Sequence, residues 1–127
     1  MPRSNKTAKN DGYKFQIDTA KYLADALGDD RIIVQQKHGS NDLGDIANVR
    51  TRNGHHVVIE CKYRTRTDLA GWINEAHREA AHDGALVGVV CHKRVGKGEK
   101  HFGEQWVTMT LDDFVELLLD EQVGDRK

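Results

Sequence analysis

Gly44-Asp45-Ile46-Ala47-Asn48-Val49-Arg50 and, beginning thirteen residues after Gly44, Val57-Val58-Ile59-Glu60-Cys61-Lys62 are the two phrases on which the fold turns. Between them, Arg52-Asn53-Gly54 carries the Asn-Gly signal of a tight hairpin turn. Residues 45–50 and 56–63 therefore read as an antiparallel pair. Side chains alternate along a strand, so Val58, Glu60 and Lys62 share one face and Val57, Ile59 and Cys61 the other. A hairpin sets the start of one strand beside the end of its partner. Asp45 begins the first strand and Glu60 nearly ends the second, so their carboxylates are expected close enough to hold one ion.

Upstream, Tyr13, Ile17, Ala20, Leu23, Ala24 and Leu27 recur at helical spacing and Gly28 is a stop signal, which predicts a helix over 13–27. A short strand is expected over 32–34 and a loop over 38–44. Downstream, Leu69, Ile73, Ala76 and Ala80 mark a second helix that ends near Asp83-Gly84. Residues 85–91 are almost wholly apolar, as in a strand buried on both faces. Residues 94–104 read as a mobile, Gly- and charge-rich connection. Their Gly-Lys-Gly lacks the spacing and the Ser/Thr of a phosphate loop. A last strand follows over 105–109. Thr110 then opens a final helix with Asp113 at its third position, an acidic variant of the capping box, and Leu111, Phe114, Val115 and Leu118 as its inner stripe. The order α-β-β-β-α-β-β-α predicts an α/β fold, a mixed β-sheet flanked by helices.

At 127 residues, 38% hydrophobic and 31% charged, the chain has the size of one domain and is too apolar for a disordered one. The expected organisation is a disordered basic arm over 1–11, a single folded domain over 12–122 and a flexible tail over 123–127. No apolar run approaches the ~18 residues of a membrane span, and the first residues have no apolar stretch of the secretory kind. Two cysteines, Cys61 and Cys91, are too few for a disulfide scaffold and lack zinc-type spacing. A cytoplasmic setting is the expectation. The net charge of −1 hides an asymmetry: residues 1–67 hold 12 Lys and Arg against 8 Asp and Glu, and residues 68–127 hold 7 against 12. A basic half of this kind can present a face to phosphates.

Two adjacent carboxylates repel unless a cation neutralises them. Oxygen ligands at an open site favour Mg²⁺, with Mn²⁺ as a substitute, and the Cys61 carbonyl could add a further oxygen to Asp45 and Glu60. Lys62 then stands beside the metal as a donor, able to orient a water or stabilise charge on a phosphorane. This is a kit for phosphodiester hydrolysis. Lys37, His38, Arg50, Arg52, Arg64 and Arg66 are the candidates for holding backbone phosphates. Gln16 lies on the helix edge shared by Ala20, Leu23 and Leu27, where its amide oxygen could meet a metal or a water. Trp72 and Trp106 fall within apolar patterns, as core or interface residues do.

Gly12-Tyr13-Lys14-Phe15-Gln16 opening a helix, His38-Gly39-Ser40 and Gly44-Asp45-Ile46 before a hairpin, and Glu60-Cys61-Lys62 at its end resemble the PD-(D/E)xK nuclease superfamily. The pattern is most similar to the small Holliday junction resolvases of archaea and of phages. Gly44-Asp45-Ile46-Ala47-Asn48-Val49-Arg50, Leu86-Val87-Gly88-Val89-Val90 and the stretch Gln105 to Asp113 look like the phage group. The resemblance spans about residues 10–120. It implies a restriction-endonuclease-like fold and a homodimeric, Mg²⁺-dependent endonuclease that cuts four-way DNA junctions symmetrically, in the host cytoplasm if phage-encoded. By position, Asp45 and Glu60 become metal ligands and Lys62 the catalytic lysine. Ser40 matches a position that helps place the scissile phosphate. Where the family usually carries a glutamate, four residues after the helix-opening glycine, this chain has Gln16. Two alternatives stay open: a restriction- or repair-type nuclease of the same fold, and a catalytically weak DNA-binding module.

Overall fold

Val57–Lys62 (β3) is buried along nearly its whole length, and the rest of the molecule is arranged around it. In a computed structural model that describes residues 5–36 and 43–120, β3 pairs in parallel with Val87–His92 (β4), and β4 pairs antiparallel with Trp106–Thr108 (β5). Parallel neighbours need a long crossover, and Leu69–Asp83 (α2) supplies it. Asp68 caps its start by accepting from the Gly71 N–H, and Gly84, at φ 68°, ends it in the left-handed region. Gly88 of β4 lies where α2 comes closest. A Cβ there would stand 2.4 Å from the Ala76 carbonyl oxygen, so only glycine lets helix and strand approach this far.

Ile33–Val34 (β1) and Ile46–Ala47 (β2) form a separate antiparallel pair. The expected hairpin between β2 and β3 is present in fragments. Asp45 N–H donates to the Ile59 carbonyl, Val57 N–H to the Val49 carbonyl, and Arg50 bridges His56. Asn48 breaks the ladder. It takes φ 69°, which asparagine tolerates better than other non-glycine residues, and its side chain donates to the Arg31 carbonyl.

The two faces of β3 are covered differently. Ile59 and Cys61 face Asn5–Leu27 (α1) and join Phe15, Ala20, Ile32, Ile46, Val89 and Cys91 in the larger core. Burial pushes the Cys61 thiol well up and the Cys91 thiol to about 11, so both are inert at neutral pH. The opposite face meets α2, where Trp72 and Ala76 pack on Val90.

Four expectations change. The first helix begins at Asn5, so residues 5–11, expected in a disordered arm, form its first turns; Lys6, Thr7, Ala8 and Lys9 have no breaker among them. Its inner face is Phe15, Thr19 and Ala20, while Tyr13, Ile17 and Leu27 are exposed. The connection over 94–104 is not simply loose. Glu99–Glu104 folds as a 3₁₀ segment, held by Phe102 against the rings of Phe15 and Tyr22. Leu111–Leu118 (α3) starts as expected, with the Thr110 hydroxyl accepting from the Asp113 N–H. Its predicted inner stripe points outward, however: Leu111, Phe114, Val115 and Leu118 are all exposed. α3 is anchored by Leu117 on the core and by the Asp113 carboxylate, which meets the Gly88 N–H and His77.

Candidate metal and phosphate site

Gly44 sets the site's geometry. It takes φ 92°, and a Cβ there would stand 2.9 Å from Val58 Cγ1 and 3.2 Å from the Ile59 carbonyl oxygen. Glycine therefore lets the chain turn tightly against β3 and deliver Asp45, itself 2% exposed, beside Glu60. Asp45 Oδ2 accepts the Cys61 N–H at 2.7 Å.

Gln16, Asp45, Glu60, Cys61, Lys62, Tyr63 and Arg64 line one open cavity of about 380 Å³, together with Ala8, Lys9, Gly12 and Tyr13 of α1. The chain thus brings together five residues proposed for the site, Gln16, Asp45, Glu60, Cys61 and Lys62, and one proposed phosphate contact, Arg64. Gln16 faces the cavity from one turn before Ala20. Asp18, two residues on, pairs with Lys14 at 2.6 Å and lines other cavities.

Glu60 is pushed up to about 7. Burial is the main cause. A hydrogen bond with Glu79 pulls the other way, the Asp45 charge raises the value, the Lys62 charge lowers it, and a hydrogen bond with Asp45 favours the protonated form. Asp45 and Glu60 line the same cavity, and Asp45 Oδ2 bonds the backbone N–H of Cys61, the residue next to Glu60. Glu60 Oε1 lies 3.5 Å from Lys62 Nζ, and Oε2 is buried without a hydrogen-bond partner among the described residues.

On the far side of Glu60, α2 contributes two acids that the sequence reading did not single out. Glu75, Glu79 and Glu60 each offer an oxygen within 4.8 Å of the others. Lys62 Nζ donates to both Glu75 oxygens, at 3.1 and 3.0 Å. The lysine ammonium thus already serves as the counter-ion between Glu60 and Glu75. The cavity side, with Asp45, Gln16 and Cys61, is the side suited to an added cation. A signal for the α2 acids lay in the sequence. Glu75 and Glu79 follow Trp72 by three and seven residues, and so fall on the same face as Trp72, Ala76 and Ala80.

The other proposed phosphate contacts separate. Arg64 and Arg66 are exposed just past the end of β3. Arg50 and Arg52, offered as phosphate contacts, do not line the cavity. Arg50 bridges His56 at the turn end of the hairpin, six residues before Lys62, which is about 20 Å at the rise of a strand. A hairpin's turn lies at the opposite end from where its return strand finishes. Lys37, His38 and Ser40 lie outside the described residues. Trp72 is buried against His92 and belongs to the core, whereas Trp106 is half-exposed under the Arg94 guanidinium.

No protein-family model, curated protein or solved structure gives a significant match to this chain. No helix among the described residues is long and apolar enough to cross a membrane.

Proposed function

We propose that the protein is a divalent-metal-dependent endonuclease of restriction-endonuclease-like fold that cleaves branched DNA, a four-way junction above all. The observation that carries this reading is that Asp45, Glu60 and Lys62 line one cavity, with Asp45 tied to β3 at the Cys61 N–H beside Glu60. Two carboxyls sharing one site are stable only if they share a proton or a cation. The donor set fits a hard cation. Glu60 Oε2 is buried without a hydrogen bond, and the oxygens of Asp45, the Gln16 amide and the Cys61 carbonyl are the type Mg²⁺ and Mn²⁺ prefer.

Asp45 and Glu60 would hold the ion, with Gln16 and the Cys61 carbonyl as neutral ligands. When bound, a divalent cation lowers the pKa of water and neutralises charge on the phosphate. Lys62, fixed at the cavity wall, stabilises the negative charge that grows on the phosphate oxygens during in-line attack by water. Arg64, with Arg66 beyond it, holds the DNA backbone at the cavity mouth. The P–O3′ bond breaks, leaving a 5′-phosphate and a 3′-hydroxyl. Symmetric cutting of a junction needs two such sites, and so a homodimer. The outward apolar residues of α3 and the edge strand β5 are surfaces on which a second copy could pack.

Gln16 favours a second reading, a junction-binding module without catalysis, because it brings an uncharged amide to the cavity. The two readings separate with Asp45→Asn and Glu60→Gln. The nuclease loses all cutting in either variant, with junction affinity within a few-fold of the parent. Junction binding in Ca²⁺ together with no cutting by the parent protein in Mg²⁺ or Mn²⁺ selects the binding module.

A further inference from the structure

Lysine is a poor catalytic group unless something holds it, because its flexible four-carbon stem samples many rotamers. Lys62 is held. Its side chain is buried on β3, and its ammonium donates to both oxygens of Glu75, at 3.1 and 3.0 Å, while Glu60 stands farther off at 3.5 Å. Glu75 comes from α2, thirteen residues on, and its side chain is about one-third exposed. An ammonium has three donors. The two shortest contacts of Lys62 go to α2, while it also lines the cavity beside Glu60. Without Glu75, the nearest carboxylate for Lys62 is Glu60, the group assigned to the metal.

We infer that Glu75 is the positioning residue for Lys62: it draws the ammonium off Glu60 and fixes it at the cavity wall. This rests on the assignment of Lys62 to the reaction, and the test separates the two. Single-turnover cutting of a labelled four-way junction in Mg²⁺ is measured for the parent, Glu75→Ala, Glu75→Gln, Lys62→Ala and the double variant Lys62→Ala/Glu75→Ala. Junction affinity is measured in Ca²⁺. Glu75→Ala is expected to lower the rate at least ten-fold with affinity within two-fold. Glu75→Gln, which keeps one acceptor, falls between it and the parent. In the Lys62→Ala background, Glu75→Ala changes the rate less than two-fold, because its effect runs through the lysine. Equal losses in both backgrounds, or none in the parent, overturn the positioning role. A fully active Lys62→Ala overturns the assignment of Lys62 itself.

A readout independent of cutting is the ¹⁵N–¹H spectrum of lysine ammonium groups. Lys62 gives a slowly exchanging signal, identified by its loss in Lys62→Arg, that disappears in Glu75→Ala. Its persistence there overturns the inference even if the chain cuts nothing.

Discussion

Asp45 Oδ2 accepts the backbone N–H of Cys61 at 2.7 Å, which ties the residue before β2 to the strand that carries Glu60 and Lys62. The bond does two things at once. It adds to the Asp45 N–H to Ile59 carbonyl bond in fixing the register at that end of the broken hairpin, and it holds the Asp45 carboxylate on the strand that carries Glu60. A change that preserves the acceptor but removes the charge separates these roles. Asn at position 45 keeps an oxygen for the Cys61 N–H, which is why Asp45→Asn tests chemistry rather than folding.

The turn that makes this contact depends on Gly44. Gly44→Ala places a Cβ 2.9 Å from Val58 Cγ1 at a backbone conformation that alanine avoids. The expected cost is about 1–3 kcal/mol of stability, with loss of cutting as Asp45 is displaced. Gly28→Ala also sits at positive φ but meets nothing within 4 Å, so it should cost less. Urea denaturation of both variants checks the order; equal stability of Gly44→Ala and the parent would contradict the close approach.

Glu60, at about 7, makes stability depend on pH in a defined direction. The folded chain keeps a proton on Glu60 that the unfolded chain releases at its ordinary value near 4.5. This stabilisation is complete below pH 4.5 and is lost as pH rises through 7. Without divalent ions, the parent should therefore lose stability relative to Glu60→Gln between pH 4.5 and 8. Adding Mg²⁺ at pH 8 should recover part of the loss, because the cation then replaces the proton. Denaturation midpoints at pH 5 and 8 measure both effects. A constant difference between the two proteins would contradict the burial of an ionisable Glu60.

Gln16 lines the cavity, so the proposed metal site predicts that changing its charge changes the demand for metal. Gln16→Glu adds a charge at the cavity, worth about 1–3 kcal/mol at an effective dielectric near 20. It should lower the Mg²⁺ concentration for half-maximal cutting; Gln16→Ala should raise it, with partial rescue by Mn²⁺. Identical midpoints for the three proteins would remove the first helix from the site.

Arg64 and Arg50 make opposite predictions, because the hairpin places them about a strand length apart. Arg64→Ala should weaken junction binding several-fold and reduce the salt slope by about one. Arg50→Ala should leave both unchanged. A dominant effect of Arg50 would move the DNA to the other end of β3.

The site was legible in the sequence as far as strand geometry reaches. Alternation puts Glu60 and Lys62 on one face, and a hairpin puts Asp45 against Glu60; neither step needs tertiary information. The α2 acids escaped because the helix was marked by its apolar residues Leu69, Ile73, Ala76 and Ala80; Ala76 and Ala80 do turn inward, but with Trp72 and Glu79 rather than Leu69, which is exposed. The α3 stripe misled for another reason. Periodicity shows that Leu111, Phe114 and Leu118 share a face, but not whether anything within the chain covers it. Phe102 was hidden in a stretch whose Gly and Lys content spoke for a loop; its two ring contacts outweigh composition there.

The central claim is that the Asp45–Glu60–Lys62 cavity cuts branched DNA. The most direct test is incubation of the purified protein with an end-labelled four-way junction and with linear duplex of equal length, each with Mg²⁺ and with chelator. The account predicts paired, symmetric cuts in the junction only, by a species of twice the 14.3 kDa monomer mass, with no cutting in chelator or by Asp45→Asn. Cutting that survives Asp45→Asn, or an intact junction in both Mg²⁺ and Mn²⁺, would contradict it.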